Sequence, residues 1–129
     1  MNGRFLLDTN IAISVFAKDA PIQQRLVDAA ETFLPVIVVG ELYYGAHKSS
    51  RVAENLVRTE EFAGNIAVLG CDKTTAEEYG RIKAALKAKG RPIPDNDIWI
   101  AAIAKQYSLI LATRDQHFGE VEGLVTETW

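Results

Sequence analysis

Apolar positions fall along this chain in short runs that switch between two spacings. Phe5-Leu6-Leu7 is a continuous apolar run closed by Asp8, Thr9 and Asn10, and it predicts a buried strand ending in turn-forming residues. Helical spacing follows from Ile11 to Ala17, with Asp8 or Asn10 near its start. A second helical stretch runs from Gln23 to Phe33 and places Leu26, Ala30 and Phe33 on one face. Pro35 breaks that pattern. The β-branched run from Pro35 to Val39 predicts a second central strand, after which Gly40 to Lys48 returns to helical spacing.

A helical hairpin follows, with Val52, Leu56 and Phe62 inward, and Ile66 to Leu69 predicts a third strand. Thr74 to Lys89 is the best isolated helix. Thr74 or Thr75 is placed to cap it, Glu77 and Glu78 occupy its first turn, Lys87 and Lys89 its last, and Tyr79, Ile82 and Leu86 form a core stripe. Arg91-Pro92-Ile93-Pro94 reads as an extended linker. Asp95 or Asn96 then caps a helix through Ile98, Trp99, Ile100, Ala102, Ile103 and Ala104 that is apolar on nearly every side and therefore buried. Leu109 to Ala112 predicts a fourth strand and Gly123 to Thr126 a fifth. Strands alternating with helices predict an α/β fold: a central, mostly parallel sheet of four to five strands with helices on both faces.

Composition narrows this picture in three ways. At 129 residues there is room for one ordinary domain, so residues 1–129 are read as a single unit. One cysteine, Cys71, excludes a disulfide within the chain; it is expected reduced and packed near a strand end. Apolar runs fall short of a membrane span, and the amino end lacks a leader pattern, so the expected location is cytoplasmic, with no membrane partner. Fourteen Lys and Arg against seventeen Asp and Glu give a net charge of −3, which argues against a binder relying on bulk positive charge.

Four acids change the reading. Asp8 follows the first predicted strand, Asp115 follows the fourth, Glu41 lies where a strand passes into a helix, and Asp97 lies in the first turn of the buried helix. In a parallel α/β sheet these places share one rim, where such folds bind ligands. Two unit charges about 4 Å apart repel by about 4 kcal/mol at an effective dielectric of about 20, so clustered carboxylates call for cations, protonation or helix amino ends. An oxygen-only donor set suits Mg²⁺ or Mn²⁺, and no Cys/His spacing suggests zinc. Taken singly, Asp95 and Asp97 are caps and Asp8 and Asp115 turn residues. Glu41, set among Val38, Val39 and Leu42, is harder to explain without a partner.

Leu6-Leu7-Asp8-Thr9-Asn10, Val39-Gly40-Glu41-Leu42-Tyr43-Tyr44-Gly45-Ala46, Asn96-Asp97-Ile98-Trp99-Ile100-Ala101-Ala102 and Ala112-Thr113-Arg114-Asp115 resemble, in order, the motifs of PIN-domain ribonucleases, specifically the VapC-like toxins of toxin-antitoxin pairs. The resemblance spans nearly the whole chain. It implies a single PIN-like domain acting as an Mg²⁺- or Mn²⁺-dependent endoribonuclease, with Asp8, Glu41, Asp97 and Asp115 as catalytic metal ligands. Thr113 would be their polar neighbour, and Asn10 and Asn96 supporting or capping groups. It also implies a homodimer and a cognate antitoxin whose tail covers the acidic site and presents an arginine.

Basic residues supply candidate RNA contacts. Arg81, Lys83, Lys87, Lys89 and Arg91 form the densest positive segment, and Lys48, Arg51 and Arg114 lie close to acidic motifs. Tyr43, Tyr44 and Trp99 are read as core or interface aromatics before base-stacking ones. His47 and His117 are read as solvated surface groups before proton donors. Two other functions fit a first-strand aspartate: a phosphatase with an aspartyl nucleophile, which wants an acid where Asn10 stands, and a non-catalytic Mg²⁺-binding, receiver-like module.

Overall fold

The computed structural model describes residues 3–129. Five strands, β1 (Arg4–Leu7), β2 (Glu31–Pro35), β3 (Ala67–Leu69), β4 (Ile110–Thr113) and β5 (Thr126–Thr128), form one sheet in the order β3-β2-β1-β4-β5. All four pairings are parallel. Between them lie α1 (Thr9–Phe16), α2 (Ala20–Asp28), α3 (Val36–His47), α4 (Val52–Gly64), α5 (Lys73–Ala88), α6 (Asp95–Gln106) and a 3-10 turn over Gln116–Glu120. This is the α/β architecture the alternation predicts, with five strands.

The chain builds outward from β1 through β2 to β3, then crosses back to lay β4 on the other side of β1. The direction of winding thus reverses between β1 and β4, and open α/β sheets bind ligands beyond the carboxyl ends of the strands at such a reversal. The two strands pair in the register Leu6↔Leu111 and Leu7↔Ala112. Their apolar runs are buried on both faces, as is α6, where Ile98 and Ile100 to Ala104 are all in the core. No helix among the described residues is long and apolar enough to cross a membrane.

Several local expectations are corrected. The helix predicted through Phe33 ends at Asp28, and the strand predicted over Pro35 to Val39 lies earlier, at Glu31–Pro35. Thr32 and Phe33 pair with Phe5 and Leu6, so cross-strand pairing decides what helical spacing left ambiguous. Val36 to Val39 instead open α3. Helix propensities of β-branched residues fall below that of alanine by less than about 0.7 kcal/mol each, an amount that burying Val38 recovers. Glu41 therefore sits more than one turn inside α3 and not at its entrance.

Asp72, not Thr74 or Thr75, caps α5: its side chain accepts from the Thr75 N–H at 3.1 Å, and the Thr75 hydroxyl accepts from the Asp72 N–H at 2.9 Å. Neither Asp95 nor Asn96 caps α6, which follows Pro94. Asp95 instead accepts from Lys83 Nζ at 3.0 Å and Tyr79 Oη at 3.1 Å on α5. The helical hairpin is made of α3 and α4, with Thr59 buried, Leu56 and Phe62 half-buried and Val52 exposed. Cys71, just past β3, is exposed rather than packed. The fifth strand begins at Thr126, after Gly123 turns the chain at a φ of 79°.

Candidate active site at the carboxyl edge of the sheet

Asp8 continues β1 by one residue, its N–H donating to the Ala112 carbonyl at 3.0 Å, and so is pinned beside the end of β4. Its buried carboxylate caps α1, with Oδ1 accepting from the Thr9 N–H at 2.8 Å, while Oδ2 accepts from the Thr113 hydroxyl at 2.7 Å. The same hydroxyl accepts from the Asp115 N–H at 3.0 Å, so one buried Thr113 sets Asp8 and Asp115 in relation to each other. The Thr9 hydroxyl donates to Glu41 Oε1 at 2.7 Å, tying α1 to α3.

His117 completes the cluster. Its Nδ1 lies 2.8 Å from Asp115 Oδ1 and its Nε2 lies 2.7 Å from Asp97 Oδ2. A continuous polar chain therefore runs Asp8, Thr113, Asp115, His117, Asp97, joining the ends of β1 and β4 to the first turn of α6. Ligand atoms of Asp97, Asp115 and His117 all lie within 4.8 Å of one another.

Charge is held here at a cost. Burial pushes the Asp8 carboxyl above the usual aspartate range against the opposing bonds from Thr113 and Thr9, and the charge of Asp115 adds to the rise. Asp97 is raised in the same direction, chiefly by burial, then opposed by its bond to His117 and pushed further by Asp8 and Asp115. Desolvated carboxylates that raise one another's pKa are what a divalent cation relieves. The donors, carboxylate oxygens with one imidazole at the margin, fit a hard cation such as Mg²⁺ or Mn²⁺.

The remaining residues singled out in the sequence fall outside this chain of contacts. Asn10 Oδ1 accepts from the Arg114 N–H at 3.3 Å, holding the segment after β4 against α1. Asn96 is exposed and borders, with Glu41, Tyr44 and Lys48, a groove of about 760 Å³. Arg114 is exposed but engaged within the protein: its guanidinium donates to the Trp129 carbonyl, the Ser14 hydroxyl and Asp19, at 2.9, 3.0 and 3.2 Å. Arg51 pairs with Glu54 and Arg81 with Glu78, as Lys83 does with Asp95, all in exposed or half-exposed ion pairs. Lys87 lies in the last turn of α5. Trp99 stacks on Tyr79 between α5 and α6, with ring centroids 4.1 Å apart, and Tyr44 is exposed.

Thr9 is a member of the site that the sequence reading passed over, and His117, expected as a solvated surface group, is instead bonded to Asp97 and Asp115. Neither contact is visible in the sequence, because the bonds of Thr9 and His117 to Glu41 and Asp97 span 32 and 20 positions of chain. The available signal was adjacency: a hydroxyl next to Asp8, and an imidazole two residues beyond Asp115 in a turn capped by that aspartate.

Residues 5–124 match the PIN domain family. The chain is 37% identical over 130 residues to a protein named ribonuclease VapC2 from Haemophilus influenzae, and 36% identical over 129 residues to a tRNA(fMet)-specific endonuclease VapC from Shigella flexneri, with 98% of each chain covered in both cases. Among solved structures it superposes on that of the DNA-bound VapBC of Salmonella typhimurium with a TM-score of 0.92 and 32% identity, covering 100% of this chain and 99% of the other. VapBC-1 from nontypeable Haemophilus influenzae superposes with a TM-score of 0.90 at 27% identity, 98% of each chain being covered.

Proposed function

The chain belongs to the PIN-domain family, in its VapC branch, and from that premise we propose that it is a toxin-type endoribonuclease that hydrolyses RNA phosphodiester bonds with the help of Mg²⁺ or Mn²⁺. The observation that carries the reading is the polar chain Asp8, Thr113, Asp115, His117, Asp97, built at the reversal between β1 and β4. Asp8, Asp97 and Asp115, with Glu41 at the side, would hold the cation. When bound, such a cation acidifies water and offsets negative charge on a phosphate, so the protein needs no side-chain nucleophile.

The chain's own groups do the positioning. The Thr9 N–H and the Thr113 hydroxyl each bond one oxygen of Asp8 and so orient its carboxylate. The Thr9 hydroxyl aims Glu41 at the same edge. The groove bordered by Glu41, Tyr44, Lys48 and Asn96 opens from that edge, and Lys48 offers the nearest positive charge to a phosphate there. An aspartyl phosphatase is disfavoured, since the position where that chemistry wants an acid holds Asn10, whose side chain is turned to the backbone of Arg114.

The Shigella relative's name makes transfer RNA the first substrate to assay. The solved relatives are VapBC structures, which supports a cognate antitoxin; its covering the acidic edge is part of the same proposal. A homodimer belongs to the same reading. Cleavage of transfer RNA that requires Mg²⁺ or Mn²⁺, stops with EDTA, and is suppressed by adding the antitoxin is the expected behaviour. Cleavage unaffected by EDTA would remove the cation from the account.

A further inference from the structure

Arg114 stands between Thr113 and Asp115, two members of the polar chain at the site, yet its guanidinium bonds outside that chain. We propose that Arg114 is a positioning residue for the cleavage reaction: its guanidinium anchors the bend after β4 and so sets the hydroxyl and the acid on either side of it. The inference rests on the acidic edge being a cation site that cleaves RNA.

Three observations carry it. β4 ends at Thr113 and the chain bends at Arg114, where the N–H groups of Arg114 and Asp115 turn to side chains: Asn10 Oδ1 at 3.3 Å and the Thr113 hydroxyl at 3.0 Å. The strand ladder therefore no longer fixes this segment, and the guanidinium does. It grips three separate elements: Ser14 Oγ in α1 at 3.0 Å, Asp19 Oδ2 at the cap of α2 at 3.2 Å, and the Trp129 carbonyl just past β5 at 2.9 Å. Ser14 is buried and the other oxygen of Asp19 accepts from the Ile22 N–H, so these acceptors are themselves held. A planar fork with three acceptors resists displacement as a point-charge ammonium does not. Finally, the Thr113 hydroxyl donates to Asp8 and accepts from the Asp115 N–H, so a shift of the bend moves two acids relative to each other. A misplacement of about 1 Å at a reacting centre costs about 100-fold in rate. The Arg114 and Asp19 side chains are 41% and 28% exposed, and ion pairs so open to water add little to stability, which leaves geometry as the fork's main consequence.

A residue that grips RNA and a residue that sets the acids change different constants, which makes the test direct. The full chain is compared as wild type, Arg114→Lys, Arg114→Ala and Ser14→Ala, at a temperature where circular dichroism shows all four folded. Mn²⁺ alone is titrated calorimetrically, and Mg²⁺-dependent cleavage of transfer RNA is followed over a salt series. Both Arg114 variants are expected to bind Mn²⁺ about tenfold more weakly and to lower kcat about tenfold or more, with KM and its salt dependence unchanged. Lysine does not rescue, because one ammonium cannot reach three acceptors. Ser14→Ala, which keeps the charge and removes one acceptor, lowers kcat in the same direction by a smaller factor. An RNA contact gives the opposite pattern: KM rises, the salt slope falls by about 0.7, lysine restores most of the loss and Ser14→Ala is neutral. That pattern overturns the proposal, as does wild-type kcat and Mn²⁺ affinity in both Arg114 variants. Wild type that neither binds Mn²⁺ nor cleaves RNA sinks the cation site and the anchor with it. Wild type that does both, beside Arg114 variants that match it, removes the anchor alone.

Discussion

In the proposed cation site, the buried Asp8 works against the stability of the fold when it is ionised. Its folded-state pKa is raised, chiefly by burial, so the native state holds the proton more tightly than the unfolded chain does. Stability from this group is therefore fully present below the ordinary aspartate range and is lost as pH rises through the raised value. Asp97 works in the same direction. Asp8→Asn, which keeps the acceptor that caps α1, is expected to melt above wild type at neutral pH in EDTA, with the gap closing as pH falls towards 4. Mg²⁺ should raise the melting temperature of wild type and not of this variant; a melting curve series in pH and Mg²⁺ checks both. Thr9→Val deletes the hydroxyl that holds Glu41 yet keeps the N–H to Asp8, and is expected to lower RNA cleavage by about 10- to 100-fold, with Thr9→Ser restoring it. Asp8, Asp97 and Asp115 could be placed from the sequence because carboxylates at strand ends and helix starts of a parallel sheet converge by topology, whereas Glu41 was expected at such a junction and instead projects from inside α3. Thr9 and His117 could not be placed, because what they do depends on side-chain bonds that only the closed fold makes.

The elements divide in a similar way. Segments whose pattern agreed with their packing, such as β1, α5 and the all-round apolar α6, lie within a few residues of where periodicity puts them. The stretch from Gln23 to Val39 does not, because two competing signals met there. Leu26 and Phe33 share helical spacing, but Phe33 belongs to β2 through its pairing with Leu6, and the valines past Pro35 enter a helix because Val38 and Leu42 face the core. Caps were the other source of error. Asp72 is the residue whose backbone and side chain both bond Thr75, a reciprocal arrangement that the neighbouring threonines obscured. Asp72→Ala is expected to lower stability by about 1 kcal/mol, seen as a fall of a few degrees in melting temperature. RNA cleavage at a temperature where both proteins are folded should be unchanged, because α5 contributes nothing to the acidic edge.

At the scale of the whole molecule, the net charge of −3 misdirects unless its distribution is known. Four of the seventeen acids lie in the proposed site, and the thirteen others are nearly matched by fourteen bases. Arg51, Arg81, Lys83 and Arg114 are engaged within the protein, which leaves Lys48 as the cation beside the groove. Lys48→Ala should weaken RNA binding and reduce the slope of log affinity against log salt by about 0.7, measured over a salt series. The parallel sheet makes the site, since only its reversal between β1 and β4 brings Asp8 to Asp115, and α6 delivers Asp97 to the same edge. The most direct test is the rate of RNA cleavage by wild type, Asp8→Asn and Asp97→Asn, each shown to be folded, with Mg²⁺ and with EDTA. Cleavage by wild type with Mg²⁺ alone, and by neither variant, is the expected result. Equal cleavage by wild type and both variants would contradict the account.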